Sequence, residues 1–165
     1  MALHKHIRRL DRVRVPDAVY FITTCVHRRQ PILGASVAAD ILRQEWSEAM
    51  HRHGWLIGRY VIMPDHVHFF CAEQPGGGKV SLSRLLERWK EWTAKGLCRV
   101  LDISAPVWQA GFFDHILRSD ESYAEKWNYV RENPVRAELV EQWADWPFQG
   151  WIDFDHPRGG NAIVE

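Results

Sequence analysis

The sequence lacks a long apolar run, an excess of one charge sign and a paired set of cysteines. No apolar stretch approaches the roughly 20 residues that a membrane-spanning helix needs. The charged, histidine-containing N-terminus does not resemble a signal peptide. The three cysteines show no paired spacing, which excludes a disulfide framework and favours reduced thiols. These absences predict a cytoplasmic protein with no membrane partner.

The composition that remains is typical of one folded domain. Hydrophobic residues make up 46% of the chain and charged residues 25%, which is typical of a globular rather than a disordered chain. A length of 165 residues is enough for one domain with a sizeable core. No shift in composition marks a boundary, so we predict a single domain over residues 1–165.

The neutral total conceals a polarised distribution of charge. Residues 1–31 carry seven Lys or Arg against two Asp, whereas residues 141–165 carry five acids against Arg158. We define residues 1–14 as the basic N-terminal arm and residues 151–165 as the acidic tail. A basic arm can contact phosphates, although scattered solvated charge remains an alternative. The candidate DNA-binding residues are Arg8, Arg9, Arg12, Arg14, Arg28 and Arg29.

Hydrophobic periodicity predicts a strand, a helix, two strands, a helix, a strand and a final helix. The strands are residues 19–26, 55–63 and 66–72 and a stretch within 107–118, rich in β-branched and aromatic residues. The helices are expected from Ser36, as a capping residue, to Gly54, from Ser81 to Gly96, and from Ser119 to about Glu132.

This order predicts an α+β fold of the ferredoxin-like, split βαβ type. Such a fold has an antiparallel sheet with helices on one face, here with an added C-terminal helix. The opposite face of the sheet is then expected to be open and able to bind a partner. The chain after residue 134 is expected to be irregular and to pack back on the domain.

The stretch MPDHVHFF, residues 63–70, places two histidines on one strand. Because alternate side chains of a strand share a face, His66 and His68 should face away from the core, about 7 Å apart along the strand. Two imidazoles at that spacing can hold a cation. Histidine is also common on half-exposed strands, so this pattern alone leaves both interpretations open.

The stretch SDESYAEKWNYVRENP, residues 119–134, contains two tyrosines at different helical positions. One apolar stripe faces the core and consists of Tyr123, Trp127 and Val130. Tyr129 lies about 200° around the helix from Trp127, on a polar face with Lys126 and Asn133. A surface tyrosine without a role is the alternative.

Four blocks of sequence occur in a fixed order: YFITTCVHRRQPILG, MPDHVHFF, DHILRSDESY and YVRENPVRAELV. Together they resemble the REP-associated tyrosine transposases of the single-tyrosine HUH transposase superfamily, over about residues 15 to 150. HUH denotes His, a bulky apolar residue and His, here residues 66–68. The resemblance implies a ferredoxin-like sheet that carries this pair and a helix that carries one catalytic tyrosine, Tyr129, with an amide metal ligand at Asn133.

The resemblance also implies a substrate and a cofactor. The substrate is single-stranded DNA beside a short imperfect hairpin, and a divalent cation, Mg²⁺ or Mn²⁺, is held by His66, His68 and Asn133. Nitrogen ligands suit Mn²⁺ at least as well as Mg²⁺. Tyr129 would form a phosphotyrosine with the DNA, and the cation or Lys126 would help the phenol to ionise. The sequence leaves open whether the protein is a monomer or a homodimer.

Two other functions remain possible on the sequence alone. The first is a metal-dependent hydrolase with a cluster of His66, His68 and His115, because two histidines and a third ligand are a common zinc set. The second is a non-catalytic domain that binds single-stranded nucleic acid on the same sheet.

Overall fold

A five-stranded antiparallel sheet forms the centre of the fold in a computed structural model that describes residues 18–155. Arg8, Arg9, Arg12 and Arg14 of the predicted arm, and residues 156–165 of the predicted tail, lie outside the described residues. The strands are β1 (Val19–Cys25), β2 (Trp55–Met63), β3 (His66–Glu73), β4 (Phe113–Leu117) and β5 (Gln149–Trp151), in the order β4-β1-β3-β2-β5.

The first four strands confirm the sequence prediction, and β5 was missed. Each neighbouring pair of strands is antiparallel. β5 has only three residues and pairs with the edge of β2, with Trp151 opposite Arg59. A strand this short carries too little alternation to be predicted from periodicity.

Four α-helices accompany the sheet within residues 18–155: α1 (Ser36–His53), α2 (Leu82–Leu101), α3 (Asp120–Val130) and α4 (Asn133–Arg136). The side chains of Ser81 and Ser119 cap α2 and α3, as expected for serine at a helix start. The prediction that Ser36 caps α1 is wrong, because Ala35 holds the cap position without a side-chain bond. None of the helices within residues 18–155 is long and apolar enough to cross a membrane.

The prediction that Gly96 ends the second helix is also wrong. Helix α2 continues to Leu101, and Asp102 caps it in the left-handed region at φ 52°. Gly96 is buried in the middle of α2, and a Cβ atom there would lie 3.0 Å from Cγ2 of Ile41 on α1. The glycine therefore permits close packing of α1 against α2 instead of ending the helix.

One face of the sheet forms the main core with α1 and α2. Val67 and Phe69 of β3 belong to this core, as the strand alternation predicted. The indole rings of Trp46 on α1 and Trp89 on α2 stack with centroids 5.3 Å apart. The two helices and one face of the sheet thus bury a continuous apolar layer.

The prediction that the opposite face of the sheet is open is wrong, because this face is partly covered. Helix α3 packs Tyr123 and Trp127 against Phe21 of β1 and Phe70 of β3. The rings of Phe70 and Tyr123 have centroids 4.6 Å apart, and Trp146 covers the same cluster from the C-terminal segment. The histidine pair therefore lies beside a second small core.

Candidate active site

His66 and His68 lie side by side on β3, in the middle of the sheet. Their ring centroids are 4.8 Å apart and their planes are inclined at 80°. Strands β1 and β2 flank β3, and the ladders place His68 opposite Thr23 on one side and Val61 on the other. The ring of His68 also stacks on Phe21 at 5.4 Å. Both imidazoles are therefore held by rigid neighbouring strands.

Each histidine has an oxygen partner at Nδ1. The Nδ1 atom of His68 shares a buried hydrogen bond of 2.7 Å with Oγ1 of Thr23. The Nδ1 atom of His66 lies 2.7 Å from Oδ1 of Asp65 and donates to it. Metal-binding histidines commonly hold their second nitrogen in this way. The Nε2 atoms are therefore the ones able to coordinate a cation, and the residues fit such a group.

Both rings are held neutral by their surroundings. Burial lowers the pKa of His68 well below its ordinary value, and the positive charges of Lys126 and Arg136 add to this effect. Burial also lowers the pKa of His66, although the hydrogen bond to Asp65 opposes the shift. Neutral imidazole is the form that coordinates metal ions, so burial favours the protonation state that cation binding would need.

Asp65 and Arg29 form a charged support beside His66 that sequence reasoning missed. Nε of Arg29 donates to Oδ2 of Asp65 at 2.8 Å, and Nη1 donates to Sγ of Cys25 at 3.0 Å. Burial alone would raise the pKa of Asp65, but its bonds to His66 and Arg29 lower it below the ordinary value. Asp65 therefore stays charged and fixes the orientation of His66. The Asp-His pair in MPDHVHFF was the available signal.

The backbone at Arg28 and Arg29 is strained. Both residues lie in the left-handed region, with φ of 54° and 55°, which costs a non-glycine residue roughly 1–2 kcal/mol. Both arginines are exposed, but the guanidinium of Arg29 forms a salt bridge with Asp65. Of the two predicted phosphate contacts, Arg29 would thus have to share its charge with Asp65.

The two tyrosines of α3 differ in burial as the helical wheel predicted. Tyr129 is 64% exposed, whereas Tyr123 is 2% exposed. Oη of Tyr123 donates to the carbonyl oxygen of Asp155 at 2.9 Å, and burial raises its pKa. Trp127 and Val130 are buried and anchor the helix on both sides of Tyr129. Only rotation of its side chain can therefore move the Tyr129 hydroxyl without undocking α3.

Arg136 contacts both the exposed Tyr129 and Asn133, and Lys126 contacts Phe21 beside the histidine pair. Nζ of Lys126 lies 5.0 Å from the ring centroid of Phe21, the ring that also stacks on His68. The guanidinium of Arg136 lies 4.2 Å from the ring centroid of Tyr129, and it donates to Oδ1 of Asn133. Tyr129 and Asn133 are thus linked through Arg136, an addition that the sequence did not reveal.

The predicted three-histidine cluster does not form. His115 is exposed on β4, opposite Phe21 of β1, so an intervening strand separates it from β3. Within residues 18–155 no group of three or more His, Cys, Asp or Glu side chains could hold a metal ion. The zinc hydrolase with His66, His68 and His115 is therefore excluded as an interpretation of these histidines.

Comparisons with known proteins agree with the resemblance found in the motifs. A family model described as "Transposase IS200 like" matches residues 14–133. The REP-associated tyrosine transposase of Escherichia coli is 28% identical over 138 residues, which cover 83% of this chain and 78% of that protein.

Solved structures show the same fold. The structure of a REP-associated tyrosine transposase bound to a REP hairpin superposes with a TM-score of 0.66 at 24% identity, over 84% of this chain and 79% of the other. A crystal structure from Deinococcus radiodurans superposes with a TM-score of 0.50 at 19% identity, over 69% and 88% of the two chains. Since the family model covers most of the described sheet and helices, this chain belongs to the IS200-like transposase family.

Proposed function

We propose that this protein cuts and rejoins single-stranded DNA through a covalent phosphotyrosine at Tyr129. The observation that carries the proposal is an exposed tyrosine, 64% accessible, on a helix docked beside two neutral imidazoles. The E. coli relative is named for REP-associated transposition, and one neighbouring structure holds a REP hairpin. These likenesses support REP-type hairpin DNA as the substrate class.

His66 and His68, through their Nε2 atoms, and Asn133, through Oδ1, would hold a divalent cation, Mg²⁺ or Mn²⁺. When bound, the cation would supply positive charge that neutralises a phosphate oxygen and makes the phosphorus easier to attack. The Nδ1 partners of both rings support this assignment. Oδ1 of Asn133 accepts a hydrogen bond from Arg136, so Arg136 has to share or release this oxygen before Asn133 can coordinate the cation.

The chain's own residues supply the nucleophile and its support. Oη of Tyr129 loses its proton and attacks the phosphorus, and a new P–O bond forms. The bond from the phosphorus to the 3′ oxygen of the neighbouring nucleotide breaks, and that oxygen takes up a proton and leaves as a 3′ hydroxyl. The phosphotyrosine keeps the energy of the broken bond, so the strand can be rejoined without ATP. An ordinary phenol titrates near a pKa of about 10, and we assign Lys126 the role of stabilising the phenolate.

Phosphate contacts outside the reaction centre are assigned to basic residues. Arg28 is exposed next to the histidine strand, and Arg29 adds a partly exposed charge. Arg8, Arg9, Arg12 and Arg14 of the arm would extend this positive surface along the DNA backbone.

A denaturing gel of labelled single-stranded hairpin DNA tests the function. Wild type and a Tyr123→Phe control should give a covalent adduct that migrates more slowly than the free DNA, whereas Tyr129→Phe should give none. Binding by all three proteins without any adduct would instead support a non-catalytic nucleic-acid-binding domain. An adduct that survives in Tyr129→Phe would show that another residue is the nucleophile.

A further inference from the structure

Arg136 contacts both residues that the proposed function places around the reacting phosphate. Its guanidinium carbon lies 4.2 Å from the ring centroid of Tyr129. Nη2 donates to the carbonyl oxygen of Tyr129 at 2.8 Å and to Oδ1 of Asn133. One side chain therefore fixes the resting position of the tyrosine ring and of the amide oxygen together.

The bond from Arg136 occupies the atom that a cation would need. A carboxamide coordinates cations through its oxygen, because its nitrogen is a donor only. A guanidinium at that oxygen also repels a nearby divalent cation.

Phosphate is the group that can draw Arg136 away from Asn133. A guanidinium forms charge-assisted, often bidentate hydrogen bonds with phosphate oxygens, and these are stronger than a bond to a neutral amide. The side chain is on the protein surface at the end of α4, where a DNA backbone beside Tyr129 would meet it.

Resting on the proposed function, we propose that Arg136 is a positioning residue that couples cation binding to DNA binding. Without DNA, Arg136 holds Oδ1 of Asn133 and opposes a cation at the histidine pair. When a DNA phosphate binds, Arg136 turns to it and releases Asn133 as the third ligand. By linkage, the cation strengthens DNA binding by the same factor as DNA strengthens cation binding.

Calorimetric titration of Mn²⁺ tests this coupling in a Tyr129→Phe background, which keeps the stacked ring but cannot cut DNA. In that background, single-stranded hairpin DNA should raise Mn²⁺ affinity about tenfold, a common size for coupling between two sites. With Arg136→Met added, the Mn²⁺ affinity without DNA should rise about tenfold, and DNA should add little more. A titration of Mn²⁺ into DNA alone is subtracted.

Arg131 provides the matched control, because its guanidinium carbon also stacks on an aromatic ring, Trp143, at 4.5 Å. Arg131→Met removes the same charge and should leave Mn²⁺ affinity unchanged, so an equal rise in both variants would overturn the proposal. An unchanged or lower affinity in Arg136→Met would also overturn it. If Arg136→Met does not fold, Arg136→Gln replaces it, with its folding checked by circular dichroism. The same rise in Mn²⁺ affinity without DNA is expected of Arg136→Gln.

His68→Ala separates failure of this inference from failure of the proposed function. If Mn²⁺ binding does not depend on His68 even with DNA present, the proposed cation site is wrong and the coupling falls with it. If binding depends on His68 but the Arg136 substitutions do not raise it, the cation site stands and only the coupling is refuted.

Discussion

Thr23 should support the cation site through its hydrogen bond with His68. Its Oγ1 lies 2.7 Å from Nδ1 in a buried environment, and Thr23→Val replaces the hydroxyl with a methyl group of similar size. A buried polar group left without a partner costs about 1–3 kcal/mol. Loss of such a partner behind a metal ligand typically weakens metal binding about 10–100-fold.

The net loss of unfolding free energy in Thr23→Val follows from two opposing effects. The unpaired Nδ1 atom destabilises the fold, and the added methyl group recovers up to about 0.8 kcal/mol by burial. We therefore expect Thr23→Val to lower the unfolding free energy by about 1–2 kcal/mol. Urea unfolding measures this loss, and calorimetry with Mn²⁺ measures the loss of affinity.

Thr24 is a control within the same strand. Both threonines are fully buried, but Oγ1 of Thr24 has no hydrogen-bond partner among residues 18–155. Thr24→Val should therefore leave stability unchanged or raise it by up to about 1 kcal/mol, with no change in Mn²⁺ affinity. Equal stability losses in the two variants, or a Thr23→Val protein that binds Mn²⁺ as tightly as wild type, would refute this reasoning.

Four further predictions concern the ligands, the fold, pH and the arm. His68→Ala should abolish cleavage in Mn²⁺ and leave DNA binding largely intact in a gel-shift assay without added cation; cleavage at the wild-type rate would refute the metal assignment. Gly54→Ala should lower the urea midpoint and cost at least about 1–2 kcal/mol, because Gly54 has φ 73° and its Cβ would lie 2.7 Å from the backbone nitrogen of Lys79; an unchanged midpoint would contradict this. Burial lowers the pKa of both His66 and His68, so the unfolded chain binds protons before the folded chain does as pH falls below about 6.5. The cation-free fold should therefore lose unfolding free energy in that range. This loss should depend less steeply on pH in His68→Gln, and the same dependence on pH in both proteins would refute the prediction. Removal of residues 1–14 should flatten the salt dependence of DNA binding by about 0.7 per lost phosphate contact, and an unchanged slope would exclude the arm from the interface.

Local periodicity was sufficient to predict the first four strands and the placement of the tyrosines. The alternation in β3 sends Val67 and Phe69 to the main core and both histidines to the other face. The 3.6-residue repeat of α3 separates buried Tyr123 from exposed Tyr129. These features depend on the backbone geometry of a single element, so one sequence is enough to reveal them.

Features that depend on contacts between distant elements were not predicted. Strand β5 exists because β2 offers an edge to pair with, and Gly96 lies within α2 because α1 approaches it. The covered second face had a signal, since Phe21 and Phe70 are apolar residues on that face of the sheet. The sequence pattern was interpreted as one-sided burial, and α3 supplies the missing cover.

The support of the site was only partly visible in the sequence. Asp65 is adjacent to His66 and could be suspected from the motif. Thr23 and His68 are 45 positions apart, so their hydrogen bond depends on the register of β1 against β3. The contacts of Arg136 with Tyr129 and Asn133 depend on how α4 follows α3, which helix periodicity does not specify.

The identity of the residue that becomes attached to DNA is the most direct test of the account. A covalent complex trapped on single-stranded hairpin DNA is digested with trypsin, which cuts after Arg118, Lys126 and Arg131 and so places the two tyrosines of α3 on separate peptides. Mass spectrometry should find the nucleotide on residues 127–131, which contain Tyr129. A nucleotide on residues 119–126, which contain Tyr123, would contradict the assignment of Tyr129 as the nucleophile.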